Sequence, residues 1–147
     1  MSLQRFQAEG RLRVHRATKK EISALLALAE RDLKDSSVEG LSSDRRFMIA
    51  YDAALTLATI PLYCAGVETH GKGHHWLTFK LLPEVMGEPF SDLADYLDQC
   101  RTKRNVGAYD RGGLISKAEV AELIKEVDVF RDDISTWLRG EHPGLID

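Results

Sequence analysis

The feature that most constrains this chain lies near its carboxyl end. Ser116 and Glu119 form an S-x-x-E pair, after which Val120, Leu123, Ile124, Val127, Phe130, Ile134, Trp137 and Leu138 recur at three- and four-residue spacing down to Gly140. A hydroxyl and a carboxylate so placed satisfy the first free amides of a helix, and the spacing lines one face of a 3.6-residue period. A half-buried strand would alternate by two instead. One long helix with an apolar face is marginal alone, so the rest of the chain has to cover it.

The same period governs most of what precedes. Thr18 and Glu21 make a second capping box, followed by Ile22, Leu25, Leu26, Leu28, Ala29 and Leu33. "DSSVEGLSS" is turn chemistry that supplies capping serines, and a second helix is expected from about Asp44 to Ala65, ended by Gly66. Pro61 is expected to kink or shorten it. A third helix is expected over His74 to Met86, with Pro83 a possible early stop, and a fourth is expected from Ser91 with Leu93, Tyr96, Leu97 and Cys100 inward. Five helices with no credible strand predict an all-α fold, an antiparallel up-and-down helical bundle. A basic arm at 1–17, the bundle at 18–139 and a tail at 140–147 complete the organisation.

With 147 residues, 44% of them hydrophobic, the chain is sized for one core and one domain. The net charge of −3 on 29% charged residues argues against wholesale wrapping of nucleic acid, so any such contact has to be local. Cys64 and Cys100 sit in apolar helical patterns without a CxxC, as expected of buried reduced thiols. The first residues carry no apolar leader, and no run is read as spanning a bilayer, so a cytoplasmic protein with no membrane contact is expected.

Four local signals invite chemistry. "GVETHGKG" has the glycine and lysine spacing of a phosphate-cradling loop, but Gly73 stands where a hydroxyl should hold magnesium, and the segment follows a helix; an inter-helix loop is expected. His70, His74 and His75 with Glu68 suggest a metal, yet Gly71 and Gly73 spoil the helix that would align two of them. No metal and no cofactor is expected; instead one histidine packs at the start of the third helix and the others are solvated. Arg5, Arg11, Arg13, His15 and Arg16 form a basic arm, read as a solvated terminus able to touch phosphate. The fourth signal is "RTKRNVGAYDRGG", where Arg101, Lys103, Arg104 and Arg111 surround Asn105 and Tyr109. Cations suit a helix carboxyl end, and Asn105 and Gly107 suit a helix stop, so a basic cap explains part of this stretch without a ligand.

The order of these features resembles the HEPN superfamily of small helical bundles over residues 18 to 139. The stretch "RRFMIAYDAALTLATIPLYCAG" is similar to the family's Arg and Tyr-Ala segment, and "THGKGHH" to its histidine-bearing loop. Arg104 and Asn105 match the family's Arg-Asn, while the histidine expected after four to six intervening residues is replaced by Tyr109, five positions after Arg104. The toxin branch adds a tyrosine two positions later, where this chain has Arg111.

The resemblance implies a metal-independent endoribonuclease site, often shared across a homodimer. In it histidine activates the ribose 2′-hydroxyl, arginine stabilises the phosphate charge and asparagine positions it. Arg104, Asn105 and Tyr109 are the implied catalytic positions. Arg101, Lys103, Arg104, Asn105 and Arg111 are the implied nucleic-acid contacts. A phenol with an ordinary pKa of about 10 is a poor general base at neutral pH, but its ring can still stack on a base. Three readings follow. The first is a module that binds RNA, a nucleotide or a nucleotidyltransferase-type protein partner without cutting. The second is a ribonuclease using Tyr109 and a histidine of "THGKGHH", and the third is a structural helical adaptor. The wide apolar faces of the second and fifth helices suit a two-fold contact.

Overall fold

The computed structural model describes residues 2–109 and 115–147, apart from the side chains of 106–109. The element order is α1 (Leu3–Ala8), β1 (Leu12–Val14), α2 (Lys19–Ser36), α3 (Ser43–Cys64), β2 (Val67–Thr69), α4 (His74–Lys80), α5 (Leu82–Met86), α6 (Ser91–Tyr109) and α7 (Lys117–Glu141). The fold is an all-α helical bundle with one small two-stranded sheet.

Helix α3 is its centre. Phe47, Ala50, Tyr51, Ala53, Ala54, Leu57, Ala58, Ile60 and Leu62 are all buried over one broad face of the helix, opposite the exposed Arg45 and Asp52, and the four alanines let neighbouring backbones approach closely. By length and composition α3 is long and apolar enough to cross a membrane, contrary to expectation, and more than half of its most apolar stretch is buried inside the bundle. Pro61 does not cut the helix short: α3 continues to Cys64, and the Pro61 carbonyl accepts from the Ala65 amide. Gly66, at φ +86°, ends the helix as expected.

Against α3 lie α2, α6 and α7, contributing Ile22, Ala29, Leu33, Leu97, Val120, Leu123, Val127, Phe130, Ile134 and Leu138. The Ser116–Glu119 capping box forms in full. The Ile115 amide donates to Asp44 Oδ1 at 3.1 Å and ties the start of α7 to the start of α3. At Thr18 only half the expected box forms: the Glu21 amide donates to Thr18 Oγ1, but the Glu21 carboxylate turns to His15 instead. The apolar faces of α3 and α7, read from sequence as suited to a two-fold contact, are consumed within the bundle. The expected third helix divides at Leu81 into α4 and α5, with Pro83 in the first turn of α5, where proline costs least.

The amino-terminal segment is not the solvated arm that its charge suggested. Strand β1 pairs antiparallel with β2 in the register Leu12↔Thr69, Arg13↔Glu68 and Val14↔Val67, so Val67–Thr69 is a strand rather than loop. Arg13 and Glu68 form an ion pair across the ladder at 3.2 Å. Helix α1 and this two-stranded sheet close a second core of Phe6, Leu12, Leu62, Val67, Leu77 and Leu81. His15 joins this layer to the bundle: it stacks on Tyr63 with ring centroids 3.8 Å apart and reaches Glu21 at 2.8 Å and Glu68 at 3.4 Å. The tail also packs, since Leu145 and Ile146 lie against the main core.

Candidate functional site

Helices α4 and α6 run antiparallel, as one cleft between them shows. Gly73, His74, His75 and Trp76 from the start of α4 face Arg101 and Asn105 from the later part of α6, enclosing about 240 Å³. The helix expected to stop near Asn105 instead continues to Tyr109, which keeps Asn105 on a regular helical face.

Directly beneath the cleft is Tyr51, fully buried in α3. The Arg104 guanidinium lies over its ring, 5.2 Å from the centroid, in cation–π geometry. The phenol oxygen is 3.4 Å from His75 Nδ1. Burial drives the Tyr51 pKa well above the ordinary phenol value, although Arg104 and Arg101 pull against it. The phenol therefore keeps its proton; where it donates to Nδ1 the neutral ring carries its own proton on Nε2, and where it accepts the ring carries it on Nδ1. The His75 pKa is lowered, first by burial and then by the charges of His74, Arg104 and Arg101. His75 thus enters the site as a neutral imidazole beside two guanidinium groups.

Arg104 is incompletely matched. Its nearest carboxylate, Asp52, stands 3.9 Å from a terminal nitrogen, and its buried Nε has no hydrogen-bond partner among the described residues. Burial raises the Asp52 pKa despite this arginine, as expected of a distant pair. Arg101 is held by Asp98 at 2.7 Å one turn earlier, which fixes its guanidinium at the cleft edge. Together Arg101, Arg104, Asn105 and His75 present donors, the pattern that an anion needs.

The structure divides the sequence-read candidates. Arg101 and Asn105 share the cleft, with Arg104 behind it. Lys103 does not join them: it bonds Glu119 of α7 at 2.9 Å, which lowers the glutamate pKa and raises its own. The Tyr109 side chain and Arg111 lie outside the described residues. Of the three histidines, His70 and His74 are exposed and His75 packs, as expected. Among the described residues no three His, Cys, Asp or Glu side chains are grouped to hold a metal ion. Burial pushes the thiols of Cys64 and Cys100 up to about 11, so both are poor nucleophiles.

Tyr51 and the particular role of His75 escaped the sequence reading. Tyr51 hides in an apolar stripe, and the only hint was a hydroxyl that burial obliges to find a partner. The chain matches no known protein-family model, and searches of curated proteins and of solved structures found no match.

Proposed function

We propose that the cleft between α4 and α6 binds a phosphate group of RNA or of a nucleotide, in a HEPN-like module that holds its ligand without cutting it. The observation that carries this reading is the meeting of His75 with Arg101 and Asn105 around one cleft, over an Arg104 whose charge is poorly matched. Guanidinium and amide groups bind phosphate oxygens through several directed hydrogen bonds, and a half-buried site strengthens each of them.

Binding without cleavage is favoured by the state of His75. A general base needs a free lone pair within reach of the proton it removes. Here Nδ1 lies 3.4 Å from the Tyr51 hydroxyl, and in the tautomer in which Tyr51 donates, Nε2 carries the proton and no free lone pair faces the cleft. The ribonuclease reading gains from the same histidine, which lies beside both arginines without the Arg-x4-6-His spacing. It requires the opposite tautomer, with Tyr51 accepting rather than donating.

Fluorescence anisotropy with a labelled single-stranded RNA in chelator tests both. Salt-sensitive binding without cleavage is expected, weakened about tenfold by Arg104→Ala or Arg101→Ala. Absence of binding at low salt would sink the proposal. Cleavage lost in both His75→Ala and Arg104→Ala would assign the site to the ribonuclease instead.

A further inference from the structure

The basic cleft does not end at Trp76. A second cavity of about 450 Å³ continues along the same pair of helices, and Trp76 lines both. The two ends differ in charge. One is formed by Arg101, Asn105 and the histidines; the other is walled by Glu84, Asp95 and Asp98, with Lys80 its one cation. Asp98 is engaged by Arg101, whereas Asp95 is exposed and has no ion pair or hydrogen bond among the described residues.

The indole between the two ends is held in place. The Arg11 guanidinium sits 5.3 Å from the Trp76 ring centroid and equally 5.3 Å from that of Phe6, so the amino-terminal layer fixes the ring while leaving it half-exposed to the groove. Arg101 and Asp95 are six residues apart on α6, about 9 Å along its axis. A 5′-nucleotide has a length of that order, with its anion at one end and its base edge at the other.

Resting on the phosphate reading above, we infer that the Trp76 cavity is a base-selecting subsite: a nucleobase stacks on Trp76 and presents hydrogen-bond donors to Asp95. A carboxylate only accepts, so it discriminates by what the base offers. Guanine offers N1–H and the 2-amino group side by side, matching both oxygens of one carboxylate. Adenine and cytosine each pair an amino donor with a ring acceptor. Uracil flanks its single N–H with two carbonyl oxygens, which the carboxylate repels. The predicted order is guanine first, adenine and cytosine between, uracil last. Stacking supplies affinity to all four and selects little among them.

The test is a tryptophan-fluorescence titration of the full chain carrying Trp137→Phe, which leaves Trp76 as the only indole. The probes are 5′-GMP, 5′-AMP, 5′-CMP, 5′-UMP and inorganic phosphate. Quenching by GMP with an affinity about tenfold or more above that of UMP is expected, with phosphate binding but scarcely quenching. Asp95→Asn should bring the four nucleotides to within about twofold, and leave competition by phosphate unchanged. Equal nucleotide affinities, or a guanine preference that survives Asp95→Asn, overturn the subsite while phosphate binding still upholds the site beside it. If neither phosphate nor any nucleotide binds, the phosphate reading fails and the base subsite falls with it.

Discussion

Helices α6 and α7 are consecutive and similarly long, yet they use their residues differently. Along α7, Val120, Leu123, Val127, Phe130, Ile134 and Leu138 are buried in one continuous face, and the opposite face is charged. Along α6, Ala94, Leu97 and Cys100 are the buried positions among its described side chains, and the remainder is largely polar. One helix is anchored by its apolar stripe. The other is held by fewer contacts and carries Asp95, Asp98, Arg101 and Asn105 along a groove. Where a helix face lines a groove and packs on no other element, the apolar period weakens because polar side chains occupy positions that packing would otherwise claim.

The contrast predicts separable failures. Phe130→Ala in α7 should cost about 3–5 kcal/mol in chemical denaturation, because it empties a fully buried volume facing α3. A loss below about 1 kcal/mol would mean that α7 is not the anchor described. Arg104→Ala in α6 should do the reverse: about tenfold weaker RNA binding, or roughly 1.4 kcal/mol, with stability changed by less than that. Unfolding as severe as that of Phe130→Ala would make Arg104 structural. Ser116→Ala should remove about 1 kcal/mol by opening the α7 capping box, without touching RNA affinity.

Acidification gives a subtler separation. The His75 pKa is depressed in the folded chain, so between the unfolded value near 6.5 and that lower value the unfolded chain binds the extra proton. Stability due to His75 is therefore complete above about pH 6.5 and declines as the pH falls through this window. His75→Gln should flatten that part of the pH-stability curve. An unchanged curve would place the histidine in solvent. Smallest of all, Lys103→Ala should shift stability by no more than about 0.5 kcal/mol, because its pair with Glu119 is exposed. It should also weaken RNA binding far less than Arg101→Ala. Equal losses would return Lys103 to the site.

What was legible in the sequence follows the same division. Periodicity and caps located α2, α3 and α7 within a few residues, because each has an apolar face long enough to outweigh local ambiguity. The strand pair was not legible. Leu12–Val14 and Val67–Thr69 are three residues each, and their partners are remote in sequence, so no local alternation marks them. At the cleft, Arg101 and Asn105 were singled out from composition and motif, while the pairing of Tyr51 with His75 depends on two helices whose residues are 24 positions apart. Lys103 turns to Glu119 and away from the cleft because residues two positions apart on a helix point to different sides, and charge density alone does not record direction.

The Arg11 guanidinium wedged between Phe6 and Trp76 makes the amino-terminal layer more than a cover. A fragment trimmed to begin at Thr18 would keep every long helix, yet it would uncover Leu62, Leu77 and Leu81 to water and release the indole that separates the two chambers of the groove. Such a shortened chain should aggregate more readily and leave the Trp76 ring unsupported, so the smallest unit that keeps the groove intact starts at α1.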